Sequence, residues 1–184
     1  LLFTSTSEVY GGAALSGFEI PVPTPEAVPL VISDLDNPRF SYAVAKMWGE
    51  AYAKHLSVSA NIRIVNVRYH NVYGPAMGYD HVIPQVICRM RAREEPFRMI
   101  GADQTRSFCW VGDAVKATVR VMESDRVAPG EVVHIGNQQE EIKIGRLYDM
   151  LFDFAGWRPE KRQEHPADLG SVSRRCPDIS KLRA

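Results

Sequence analysis

Two residues in this 184-residue chain have the types and spacing to do proton chemistry together: Tyr42 and Lys46 in the run Tyr42-Ala-Val-Ala-Lys46. Four residues apart on a helix, their side chains project from one face. An ammonium beside a phenol favours the phenolate and lowers a pKa that starts at about 10. The pair is then a positioned general base, able to take a hydroxyl proton while hydride leaves the same carbon. With seven tyrosines in the chain this spacing also arises by chance, so its weight depends on its surroundings. The run Thr4-Ser5-Thr6-Ser7-Glu8-Val9-Tyr10-Gly11 follows directly on the apolar Leu1-Leu2-Phe3, which reads as a short strand. In an open parallel sheet ligands collect at the carboxyl ends of strands, where this hydroxyl cluster would lie. Taken alone, the cluster is equally well an ST-rich turn that satisfies its own backbone.

The elements that must position these residues alternate between strand and helix signals, the pattern of a parallel α/β sheet. Residues 41–55 are Ala-rich and read as the helix bearing Tyr42 and Lys46. Between them and the first strand lies a Pro-rich stretch, Pro21 to Pro38, long enough to predict a lid or disorder. Residues 62–68 alternate β-branched side chains and read as a strand, as do 97–100 and 132–135. Residues 82–93 predict a helix with Val82, Val86, Ile87 and Met90 on one face. A further helix opens at Asp113, placed as an N-cap, and runs through Val115, Val119 and Met122. The last clear helix is 144–155 with Gly156 as its stop, and 158–170 reads as charged and irregular. Trp48 and Trp110 read as packing residues.

Composition narrows the function classes. The 22 basic and 22 acidic residues cancel, so no bulk field draws nucleic acid or an anionic membrane, and neither is expected as a partner. An anionic ligand must therefore be held by a few local arginines. Cys88, Cys109 and Cys176 show no metal-type or CxxC spacing, so no metal site is expected and a reducing, cytoplasmic setting is. No apolar run is long enough to span a bilayer. The chain opens without Met and ends in what reads as the start of a helix, Asp178 to Arg183, so a segment of a longer protein is expected.

The hydroxyl run and the Tyr-Lys pair together resemble the extended short-chain dehydrogenase/reductase family of nucleotide-sugar epimerases, dehydratases and decarboxylases. Further segments match in the family's order: Arg68-Tyr69-His70-Asn71-Val72-Tyr73-Gly74-Pro75, Arg106-Ser107-Phe108 with Trp110-Val111-Gly112-Asp113, His134-Ile135-Gly136-Asn137, and Arg175-Cys176-Pro177-Asp178. The resemblance implies an α/β fold, part of a Rossmann-like doubly wound parallel sheet with a small C-terminal substrate-binding α/β region. Residues 1–75 would be the C-terminal half of the NAD-binding domain. Residues 76–184 would be mostly the nucleotide-sugar region, interleaved with the last Rossmann elements.

The resemblance also implies roles. Tyr42 would be the base and Lys46 its activator, both against NAD, with Ser5 and Tyr69 near the cofactor. Thr6 would meet the sugar's reacting oxygen, with Ser7 and Glu8 beside it in the catalytic group. Asn71, Arg106 and Arg175 would grip the substrate diphosphate, while His81, Val82 and Arg98 would border the base of a nucleotide-sugar, expected to be UDP-linked. His70 reads as a loop or core histidine. The dehydratases carry Asp-Glu where this chain has Ser7-Glu8, so dehydration is disfavoured; the string Thr6-Ser7-Glu8-Val9-Tyr10-Gly11 resembles the UDP-glucuronate decarboxylases, and a UDP-glucose 4-epimerase-like member, which needs only Tyr42 and Thr6, stays open beside them. A non-catalytic relative or a small-molecule carbonyl reductase are the alternatives. Family members often dimerise through the Tyr-Lys helix, where Trp48 and Tyr52 would give a packed face. The family's strand–Gly-rich loop–helix fingerprint for the dinucleotide is not found in this sequence, and Gly11-Gly12 and Gly136 lack its spacing.

Overall fold

The computed structural model describes residues 1–167 and 170–184. Strand β1 (Leu2–Thr6) runs past its apolar start into the hydroxyls, and a 3-10 turn, Ser7–Tyr10, leads into the short helix α1 (Gly11–Leu15). Helix α2 (Arg39–Ser59) is longer at both ends than its composition predicts. Its final turn is held by Ser57, whose hydroxyl donates to Ile62 O and accepts from Ile64 N. Strands β2 (Val65–Tyr69) and β3 (Val72–Tyr73) follow, then helix α3 (Val82–Arg91) and strands β4 (Phe97–Ile100), β5 (Thr105–Ser107) and β6 (Cys109–Trp110). Helix α4 (Val111–Glu123) leads to strands β7 (Val132–Ile135) and β8 (Glu141–Lys143), and helix α5 (Ile144–Ala155) ends at Gly156 with φ of 60°. Strands β9 (Arg162–His165) and β10 (Arg174–Arg175) and the short helix α6 (Ser180–Arg183) complete the described chain.

Strands β1, β2 and β7 form one parallel sheet in the order β1-β2-β7. Their register brings Thr6, Tyr69 and Ile135 level, so all three strands end at one edge. Alternate residues face opposite helices, as a pleated strand requires. Val65, Val67, Val133 and Ile135 pack with Ala114 and Val121 of α4, while Asn66 and Arg68 reach Glu50 of α2. Helices thus cover both faces, which is the doubly wound arrangement expected.

A second core joins Val86 and Met90 of α3, Phe97 and Met99 of β4, and Leu147, Tyr148 and Phe152 of α5. Phe97 and Phe152 meet edge to face at 5.1 Å. A third small sheet orders β10-β5-β8.

Several sequence expectations need correction. The stretch 158–170 is not wholly irregular, because β9 pairs in parallel with β4. The run 16–38 has no regular helix or strand, yet it is fastened rather than free. Thr24 exchanges backbone hydrogen bonds with Cys176 and Asp178 at 2.9 and 2.8 Å, and the Glu26 carboxylate accepts from His134 N. On α3, Ile87 is exposed while Val86 and Met90 are buried. On α4, Val115, Val119 and Met122 face outward, and Ala114 and Val121 are buried instead. Asp113 lies inside the first turn, after a Trp110 cap that makes no side-chain hydrogen bond. Trp48 is exposed and stacked on Tyr52 rather than packed in a core. Among the described residues no helix is long and apolar enough to cross a membrane.

Candidate active site

Helix α2 lies close against β1, and Gly49 permits it: a Cβ there would fall 2.1 Å from the Phe3 ring. One turn earlier, Lys46 Nζ donates to Thr4 O at 2.7 Å and stands 5.3 Å from the Phe3 ring centroid. The same ammonium is 5.8 Å from the Tyr42 ring centroid. Earlier still, Phe40 and Ala43 meet Glu8 and Gly11 around a small gap. The helix therefore runs antiparallel to β1, which brings the Tyr42 turn level with the strand's carboxyl end. Tyr42 is half exposed there. The structure brings Tyr42, Lys46 and the Thr6 end of β1 into one neighbourhood.

The hydroxyls of β1 divide by the pleat. Thr6 Oγ1 accepts from Glu8 N at 3.2 Å, capping the 3-10 turn. Ser5 is buried and donates to Glu50, so its hydroxyl belongs to the interior beneath α2. Ser7 is buried as well. Tyr69 turns the other way, its phenol 2.9 Å from the Thr118 hydroxyl on α4.

The expected diphosphate residues lie at the small sheet. Arg106 and Arg175 are direct register partners on parallel strands, two like charges that destabilise each other unless offset. Arg175 Nη1 donates to Glu8 Oε1 at 2.5 Å, and Arg106 donates to Gln104 Oε1 at 2.8 Å and Ser171 Oγ at 3.1 Å. Asn71 takes the left-handed region, φ 42°, and donates its side-chain amide to Ser107 O at 3.0 Å. His81, Val82 and Arg98 stand with the second core. His81 is exposed at the start of α3, Val82 packs on that core, and Arg98 is tied to Glu94 at 2.8 Å.

Beside the 3-10 turn opens a cavity of about 500 Å³, lined by Ser7, Tyr10, Thr24, His70, Arg175 and Cys176 among others. Tyr42 and Lys46 do not line it. Gly11 borders both it and the gap against α2, so the two regions meet at this turn.

Behind the cavity runs a buried polar network. Arg68 holds Glu50 through two hydrogen bonds of 2.8 and 2.5 Å, and also donates to the Tyr10 hydroxyl. That hydroxyl sits 2.6 Å from His134 Nε2, and His134 Nδ1 sits 2.9 Å from Asp178 O. A carbonyl can only accept, so Nδ1 carries the proton and Nε2 accepts from Tyr10. Burial pushes the Tyr10 phenol up to about 12 and lowers His134. His70 lies beside it, 4.5 Å between ring centroids, held well below the usual range by burial, with His134, Arg175 and Arg68 adding to the effect. This network was missed as a functional feature. Its one visible signal is Arg68, a charge in a strand whose β-branched alternation marks it for the interior.

Two buried neutral histidines give a signed pH prediction. Below the unfolded value of about 6.5 the unfolded chain binds protons that the folded chain refuses, so stability falls on acidification. The slope is bounded at about 1.4 kcal/mol per pH unit for each histidine, and His70, held further down than His134, should contribute the larger share. Urea midpoints measured from pH 7.5 to 5 check this. A flat profile contradicts it.

Comparisons with known proteins fit this geometry. Residues 1–136 match the NAD dependent epimerase/dehydratase family. The chain is 32% identical over 193 aligned positions to a UDP-N-acetyl-alpha-D-glucosaminuronate decarboxylase of Bacillus cytotoxicus, covering 100% of this chain and 56% of that protein. It is 30% identical over 145 positions to a dTDP-4-dehydro-6-deoxy-D-allose reductase of a Streptomyces species, covering 77% and 43%. The crystal structure of UDP-glucuronic acid 4-epimerase from Bacillus cereus, in complex with UDP-glucuronic acid and NAD, superposes with a TM-score of 0.82 at 27% identity, covering 98% of this chain and 53% of that one. The chain thus spans about half the length of the curated relatives it matches. With 136 of its residues matched, a parallel sheet ending at Thr6 and a Tyr-Lys helix laid against that strand, the chain belongs to the NAD dependent epimerase/dehydratase family.

Proposed function

We propose that the protein carrying this chain oxidises a nucleotide-sugar at C4 and then epimerises or decarboxylates the keto sugar, with Tyr42 as the base. The observation that supports this most is Lys46 bound to Thr4 O, one helical turn from Tyr42 and two residues from Thr6. Tyr42 takes the proton of the C4 hydroxyl, Lys46 fixes the helix face that presents it, and the Thr6 hydroxyl steadies the sugar oxygen. Glu8 and Ser7 border the same site. Bound NAD supplies the acceptor for the hydride that leaves C4.

The described residues fit the nicotinamide-ribose half of that cofactor through Tyr42 and Lys46. They offer no pyrophosphate cradle, since Gly12 is filled by loop packing: a Cβ there would fall 1.7 Å from Val31 O. Ser5 and Tyr69 would serve the cofactor only through their positions at the strand ends, because their hydroxyls face inward. Arg106 and Arg175 suit a UDP-type diphosphate, their mutual repulsion relieved by the anion between them. Asn71 stands near them, and His81, Val82 and Arg98 are assigned to the nucleobase side. Residues 1–75 would form the cofactor-side unit and 76–184 mostly the sugar-nucleotide unit. Ser7, where the dehydratases carry an acid, cannot donate a proton to a leaving hydroxyl, so dehydration remains disfavoured.

Two further assignments belong to this reading. The exposed, stacked Trp48 and Tyr52 on α2 form a face for a second copy of the chain. The three free cysteines suit a reducing cytoplasm. Incubating the protein with NAD and UDP-glucuronate tests the reaction. Carbon dioxide release identifies a decarboxylase, isomerisation without release identifies an epimerase, and an unchanged substrate across UDP-glucuronate and UDP-glucose overturns the proposal.

A further inference from the structure

Two histidines stand side by side in the interior with opposite fates. His134 satisfies both ring nitrogens, one on Tyr10 and one on Asp178 O. His70 is 1% exposed, and neither of its nitrogens has a hydrogen-bond partner. A buried polar atom left unpaired costs about 1–3 kcal/mol, so such groups are rare and call for a reason. Packing alone supplies none, since an apolar ring of similar size would avoid the penalty.

The position of His70 supplies one. His70 is among the residues lining the cavity of about 500 Å³ that also presents Ser7, Tyr10 and Arg175. The Tyr10 and His134 rings pack around it at 6.2 and 4.5 Å, but no hydrogen bond fixes the ring, so either nitrogen can be recruited by a ligand without breaking one. Burial above all, then the neighbouring His134 and the cations Arg175 and Arg68, oppose protonation. A neutral imidazole offers one donor and one acceptor, which matches hydroxyl groups rather than phosphate oxygens.

We propose that His70 is a specificity residue for the sugar half of the ligand, exchanging a hydrogen bond with a hexose hydroxyl lodged between the 3-10 turn and β10. This rests on the nucleotide-sugar reading above and deepens it. The cavity then divides its labour: Arg175 meets the anionic linkage, while His70 reads the sugar ring.

Calorimetric titration of the protein with UDP-glucuronate, UDP-glucose and UDP tests it, with His70→Phe and His70→Gln beside the wild type. The expected result is a five- to tenfold loss of UDP-sugar affinity in His70→Phe, unchanged affinity for UDP, and recovery of at least half the loss in His70→Gln, which keeps a donor and an acceptor. In the wild type, imidazole ¹⁵N shifts of His70 should move with the UDP-sugar and stay still with UDP. If the wild type binds the UDP-sugars and His70→Phe binds them equally well, or loses UDP to the same extent, the role of His70 is refuted. If the wild type binds neither UDP-sugar, the nucleotide-sugar reading itself fails, and this assignment with it.

Discussion

Replacing Tyr42 with Phe is expected to lower kcat by roughly a hundred- to ten-thousandfold, the range a positioned acid–base group contributes, while UDP-sugar affinity stays within about twofold. The separation follows from where the phenol stands. Tyr42 is half exposed on the first turns of α2, whereas the arginines assigned to the diphosphate lie on β5 and β10. Removing its oxygen therefore takes away the proton acceptor without disturbing the grip. The ring persists in the variant, so the Lys46 contact with Thr4 O persists too. A steady-state comparison with a parallel binding titration makes the measurement. Turnover within tenfold of wild type removes Tyr42 from the chemistry.

Glu50→Ala should destabilise the fold by about 3–5 kcal/mol, because it strands a buried guanidinium. The side chains of Arg68 and Glu50 are 4% and 7% exposed, and the Ser5 hydroxyl also donates to the same carboxylate. Without it Arg68 retains only the Tyr10 hydroxyl and the Glu26 carbonyl at 3.0 Å. At about 2–4 °C per kcal/mol for a chain of this size, the midpoint should drop by roughly 6–20 °C. Glu50→Gln keeps the shape and one acceptor and should fall between the two. A thermal melt decides, and a drop under 3 °C would show that the charge is not desolvated as the structure has it.

The same ion pair marks the limit of what the sequence revealed. The alternation in 62–68 identified β2, and the run of hydroxyls after an apolar start located the carboxyl end of β1. Those signals depend only on local period. That Arg68 reaches Glu50, eighteen residues earlier in the chain, depends on the pleat directing even-numbered residues under α2, which a one-dimensional pattern does not encode. The outward turn of Val115, Val119 and Met122 has a related cause: the face of α4 that is buried is set by where the sheet lies, and its small residues, Ala114 among them, take that side. The strand β9 escaped notice because its charged residues, Arg162 to His165, lie against Phe97 to Ile100 with most of their side chains exposed. For the proposed site, motif order pointed to Tyr42, Lys46, Thr6 and Arg175. The tie between Arg175 and Glu8, 167 positions apart in the chain, arises only when β10 returns to the 3-10 turn. The pleat likewise sends the Ser5 hydroxyl of β1 under α2 and the Tyr69 phenol of β2 toward α4.

A crystal structure of the protein with NAD and UDP-glucuronate would bear on the catalytic assignment more directly than any rate. The Tyr42 hydroxyl should lie within about 3.2 Å of the sugar's O4, hydrogen-bond reach for a general base, with the Thr6 hydroxyl on the same oxygen. A sugar seated with its O4 turned away from Tyr42, and another group in contact with that oxygen, would contradict the account.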